Sequence, residues 1–119
     1  MTAWDRLSAE LDAWSAAGLT AEFWWRDDDA VDTTAALNRL FALRRELKIP
    51  LALAVIPAGA RTALADAVRG EPGVEILQHG YAHANHRPDD KKKAELGADR
   101  DLWDIARELA DGRGRMIDL

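Results

Sequence analysis

At 119 residues the chain is expected to form a single domain, or part of one, over residues 1–119, long enough to bury a real core. A net charge of -5 gives no basic excess of the kind that nucleic acid or an anionic membrane rewards, so neither is an expected partner. The absence of cysteine excludes disulfides and thiolate metal sites and suits the cytoplasm, which is the expected location. The N-terminal run Met1-Thr2-Ala3-Trp4-Asp5-Arg6 has neither the basic nor the apolar region of a signal peptide. No apolar run approaches the roughly 20 residues of a membrane helix.

In chain order, Trp4, Leu7, Leu11 and Trp14 recur at helical spacing over residues 3–17, and Gly18 ends that helix. Residues 21–26 read as a short apolar strand running into three aspartates, Asp27, Asp28 and Asp29. Asp32-Thr33-Thr34 is a helix-cap signal, and Leu37, Leu40, Phe41 and Leu47 continue an amphipathic helix to about Lys48, before Pro50. Leu51 to Ile56 is an unbroken apolar run, as expected of a strand covered on both faces. Pro57-Ala58-Gly59 is a turn, residues 60–69 an alanine-rich helix, and Val74 to Leu77 a third strand. A last helix is expected over Asp99–Ala110, broken by Gly112 and Gly114, with Met116 to Leu119 opening a further element. Asp89 to Lys93 reads as a solvated charged stretch.

A helix followed by three strand–helix units implies an α/β fold of about three parallel strands joined by crossovers. Ligand-binding loops of such sheets gather at the carboxyl ends of the strands. The aspartates after strand one, Pro57-Ala58-Gly59 after strand two and His79-Gly80-Tyr81-Ala82-His83-Ala84-Asn85-His86 after strand three are therefore expected on one rim. That last segment holds every histidine of the chain. Adjacent carboxylates resist burial without a cation. Two imidazoles and one carboxylate suit a divalent ion with open positions: Zn²⁺ is the expected one, with Co²⁺, Mn²⁺, Fe²⁺ or Ni²⁺ as alternatives. Such an ion lowers the pKa of its water and polarises a carbonyl, and a neighbouring carboxylate can act as general base. Around this centre Trp25, Asp29, Tyr81 and His86 are candidate substrate-binding or outer-shell residues; Trp25 is expected to line the rim, and Asp29 also fits a turn or cap.

Arg26-Asp27-Asp28-Asp29 followed by His79-x-x-x-His83 resembles the polysaccharide deacetylase (NodB-homology) family, whose first motif is an aspartate pair and whose second is a spaced histidine pair. The resemblance covers the N-terminal half of such a domain. It implies a partial, truncated (β/α) barrel and a metal-dependent hydrolase that removes N- or O-acetyl groups from a carbohydrate or small amide. It also implies Asp27 as catalytic base, and Asp28, His79 and His83 as metal ligands. Because Asp29 stands where the family has glycine, a shifted register, with Asp28 as base and Asp29 as ligand, is an alternative. The family's later motifs have no counterpart here, so at best weak activity is expected from this chain alone, with either self-association into a homo-oligomer through open sheet edges or a missing C-terminal half. Three other readings remain. A non-catalytic metal- or sugar-binding module would keep the ligands without turnover. A phospho-receiver domain would need an aspartate at the end of strand three, where Leu77-Gln78-His79 stands. Iron-dependent oxygenases share the ligand set but differ in ligand spacing and fold.

Overall fold

The computed structural model describes residues 1–119. Its elements are α1 (Ala3–Ala16), β1 (Trp25–Ala30), α2 (Ala35–Leu47), β2 (Leu51–Val55), a 3₁₀ turn at Pro57–Gly59, α3 (Thr62–Arg69), β3 (Val74–Gln78) and α4 (Leu102–Asp118). The three strands form one parallel sheet in the order β1-β2-β3. The chain is thus α/β, as the alternation of patterns predicts, and the carboxyl ends of all three strands share one edge.

The core is built around β2. Leu51, Leu53 and Val55 are buried and alternate along the strand, so they share a face. They cluster with Leu37 and Phe41 of α2, Ala60, and Leu64 of α3. Burying each such side chain contributes about 1.5–3 kcal/mol. The start of α2 is set by Thr34, whose hydroxyl accepts the Leu37 N–H at 3.0 Å. Near its other end Arg44 and Arg45 reach Glu71, the one carboxylate that is buried. That contact ties α2 to the turn between α3 and β3.

Three expectations from the sequence are corrected. First, β1 spans Trp25–Ala30, not residues 21–26, so the aspartates lie within the strand rather than beyond it. Pairing with β2 begins only at Trp25↔Leu51 and continues through Asp27↔Leu53. As an edge strand β1 keeps its aspartate side chains in water, so the ladder tolerates charges a central strand would not. Phe23 and Trp24 consequently fall outside the sheet, each 72% exposed. Second, α3 begins at Thr62, because Pro57–Gly59 forms a 3₁₀ turn ahead of it.

Third, α4 runs through Gly112 and Gly114 to Asp118, and Met116 to Leu119 open no new element. Each glycine costs a helix about 1 kcal/mol. Anchorage outweighs that cost: Asp101 caps the N-terminus, accepting the Trp103 and Asp104 N–H groups, and Met116 and Leu119 pack on the core. Gly112 is itself a packing residue. A β-carbon there would meet Gln78 Nε2 at 2.7 Å and Pro57 Cγ at 3.0 Å, so its absence lets α4 lie against the ends of β2 and β3.

Much apolar surface stays uncovered. The radius of gyration is 18.4 Å, against about 13.5 Å for a compact domain of this length. The accessible surface is 8691 Å², where a compact monomer of this mass has about 6,400 Å². The helix α1 has a complete capping box between Thr2 and Asp5 but no buried residue, and Trp4 is 77% exposed. Trp103 of α4 is exposed as well. The outer edges of β1 and β3 are unpaired, and three strands form an open sheet rather than a closed barrel. No helix is long and apolar enough to cross a membrane.

Candidate metal centre

The site begins with an irregularity at the end of β1. Asp27 pairs with Leu53, but the next aligned pair is Ala30↔Val55, so β1 carries one residue more than β2 over this stretch. Such a bulge bends a strand and re-aims a side chain. Here it places Asp29 in the left-handed region, at φ 67°, a conformation aspartate tolerates better than most residues.

Opposite it, the ladder of β3 runs one residue past the strand, since the His79 N–H donates to the Val55 carbonyl at 2.8 Å. The Gln78 side chain then fastens the loop, donating to the carbonyls of Gly80 and Leu109 at 3.0 and 2.9 Å. Gly80 at φ 60° and His83 at φ 55° fold the chain back on itself. His79 and His83 therefore converge through a tight loop, not across a helical turn, and their rings stack with centroids 5.3 Å apart.

The two halves meet. Asp29 Oδ1 lies 3.1 Å from His79 Nε2 and 3.4 Å from His83 Nε2. One donor atom from each of the three residues lies within 4.8 Å of the others, a group that could hold a metal ion. The donor set fits a first-row divalent ion: ligand atoms about 2.0–2.1 Å from such an ion stand about 2.9–3.4 Å apart along the edges of an octahedron or tetrahedron. Both Asp29–His separations fall in that range.

The other predicted residues are distributed unevenly. Asp28 is not in the triad; it accepts a hydrogen bond from Arg26 Nε at 2.5 Å. That bond holds its carboxyl below the usual range, partial desolvation opposes the shift, and the charges of Arg26, His79 and His83 add to it. Asp27 is exposed and lines a cleft of about 310 Å³ with Asp28, Asp29 and Asp32, between the end of β1 and the start of α2. Of the two registers the sequence leaves open, this arrangement matches the one with Asp29 beside the histidines. Trp25 does not line the rim. It opens β1 instead of closing it, pairs with Leu51 and packs on the core, four residues and about 13 Å of strand from Asp29. Tyr81 joins the loop through its backbone, its carbonyl accepting the Ala58 N–H at 2.9 Å. His86 is exposed and outside the triad, its N–H donating to the Ala94 carbonyl at 3.1 Å.

Glu95 escapes the reading of the sequence. Its Oε1 accepts the N–H groups of Tyr81, Ala82 and His83 at 3.2, 2.6 and 3.1 Å. The one available signal was Gly80, which marks a close approach: a β-carbon there would run into Glu95 Oε2. Comparison with protein-family models, with curated proteins and with solved structures gives no match.

Proposed function

We propose that this chain carries the metal-holding half of a hydrolase that removes N- or O-acetyl groups from a carbohydrate, on a sheet of the deacetylase (β/α) barrel type. The observation that carries the reading is the convergence of Asp29, His79 and His83, with Asp29 at ligand-edge distances from both histidines and Asp27 and Asp28 lining a cleft with it. Asp29, His79 and His83 would hold a divalent ion, Zn²⁺ by preference, which would lower the pKa of water and polarise the acyl carbonyl.

In this reading Asp28 accepts the proton of the attacking water and returns it to the leaving nitrogen or oxygen. Arg26 donates to Asp28 Oδ1 and fixes that oxygen, and the bond holds the carboxyl below its usual range. Asp29, His79 and His83 would hold the ion and so orient the reacting centre. The N–H groups of Tyr81, Ala82 and His83 are taken by Glu95 and are not free to stabilise the oxyanion. Asp27, which lines a cleft with Asp28 and Asp29, is assigned to substrate contact.

The open setting of the site favours a second reading, a non-catalytic metal or sugar module, because the Asp29 and His83 side chains are each 56% exposed. Acetate release from chitin oligomers by Zn²⁺-loaded protein separates the two. Metal-dependent release that the His79→Ala variant lacks supports the hydrolase. Stoichiometric Zn²⁺ binding with no release above buffer supports the module.

A further inference from the structure

The loop that aims His83 is not held by its own sequence. Gly80 and His83 both sit at positive φ, and His83 carries a β-carbon that disfavours this conformation. Between them three successive N–H groups, of Tyr81, Ala82 and His83, point into one concavity. Successive backbone N–H groups in such a turn form a nest that prefers an anion. The anion here comes from the chain itself, from Glu95, 12 residues beyond His83.

Glu95 is in turn pinned from both sides. Ala94, just before it, donates its N–H to Asn85 Oδ1 at 3.0 Å, and its carbonyl accepts the His86 N–H at 3.1 Å. The Glu95 carbonyl accepts from Arg100 Nη1 at 3.3 Å. Arg100 grips Glu108 of α4 through two hydrogen bonds, at 2.9 and 2.6 Å. Farther along, Arg87 and Lys91 both bind Asp99, at 2.7 and 2.8 Å. The segment between β3 and α4 is therefore a strap, closed by ion pairs and fastened to α4, whose inward end is one carboxylate set under the histidine loop.

We propose that Glu95 is a positioning residue for the metal centre: it holds residues 80–83 in the fold that brings His83 to His79 and Asp29. The inference rests on the metal reading above and assigns to that site a group outside its ligands. Groups that orient metal ligands typically change metal affinity about 10–100-fold when removed. Gly80 belongs to the same device, since only a residue without a β-carbon leaves room for Glu95 Oε2.

The test compares the parent with Glu95→Ala and Glu95→Gln, in calorimetric titrations with Zn²⁺, in Co²⁺ absorption spectra, and in amide hydrogen exchange of the metal-free proteins. Glu95→Ala is expected to lose about 10–100-fold in Zn²⁺ affinity, to alter the Co²⁺ ligand-field bands, and to lose protection at the amides of Tyr81, Ala82 and His83. Glu95→Gln keeps an oxygen in the nest and is expected to recover most of the affinity and protection. Thermal unfolding should change little in either variant, because the strap contributes nothing to the buried cluster. Parent-like Zn²⁺ affinity in Glu95→Ala overturns the proposal, as does an equal loss in both variants. If the parent itself binds no Zn²⁺, the metal reading falls and the exchange arm decides: lost protection in Glu95→Ala alone upholds the positioning of the loop, and unchanged protection overturns it.

Discussion

Asp28→Asn is expected to lower the rate of acetate release by about 10²–10⁴-fold, the usual worth of a general base, while leaving Zn²⁺ affinity near that of the parent. The amide matches the carboxylate in size but cannot take a proton from water. Asp28 stands next to the proposed ligand Asp29 in sequence, and Arg26 fixes one of its oxygens. Asp27→Asn is expected to affect substrate affinity more than rate. The alternative register, with Asp27 as base and Asp28 as ligand, makes the opposite forecast: Asp28→Asn would then lose metal, and Asp27→Asn would lose rate. Parallel rate and Zn²⁺ measurements on the two variants therefore discriminate directly. Retained rate in Asp28→Asn rules out the role assigned to it here.

Glu71→Ala is expected to destabilise the fold by about 3–5 kcal/mol, because removing one partner of a buried ion pair strands the other. The Glu71 side chain is 6% exposed and that of Arg44 is 12% exposed, and Arg44 has no other acidic partner. Gly73, at φ 88°, sits directly against the Arg44 guanidinium, so the same substitution loosens the turn that starts β3. Arg45 also reaches Glu71, but its side chain is 57% exposed. Arg45→Ala is expected to cost less than Glu71→Ala, because the Arg45 side chain is largely in water and Arg44 stays beside the Glu71 carboxylate. The loss in Glu71→Ala is a large part of the roughly 5–15 kcal/mol that domains possess. In urea the midpoint should fall by about 2 M at a slope near 2 kcal/mol per M. Equal midpoints for Glu71→Ala and Arg45→Ala contradict this account.

The legible parts of the fold were those where one physical effect dominates the sequence. Leu51 to Ile56 is apolar throughout because β2 is central and covered, and it reads as a strand from composition alone. The helix positions follow from their periodicity, including α1, whose pattern forms a helix even though nothing here covers its apolar side. Failures came where two effects compete. The aspartates of β1 look like a loop because charge normally excludes sheet; at an edge, solvent access removes the penalty. The glycines of α4 look like a terminus, yet Gly112 serves close packing against Pro57 and Gln78.

The candidate site shows the same division. The histidine segment and the common rim follow from strand order, and the structure brings them together as expected. Which aspartate meets the histidines depends on a one-residue bulge and a positive φ at Asp29, and composition carries no trace of either. Glu95 lies just past a lysine-rich stretch that resembles solvated surface. Its partner is a set of backbone amides, which a sequence does not display.

The central claim is that Asp29, His79 and His83 together hold one divalent ion. Calorimetric titration of the metal-free protein with Zn²⁺, beside Asp29→Ala, His79→Ala, His83→Ala and Asp27→Ala, tests it most directly. The account predicts one equivalent bound by the parent and by Asp27→Ala, and affinity reduced by at least about 100-fold in each of the other three, beyond the usual cost of losing an outer-shell partner. Parent-like binding in all four variants, or full retention in Asp29→Ala, would contradict it.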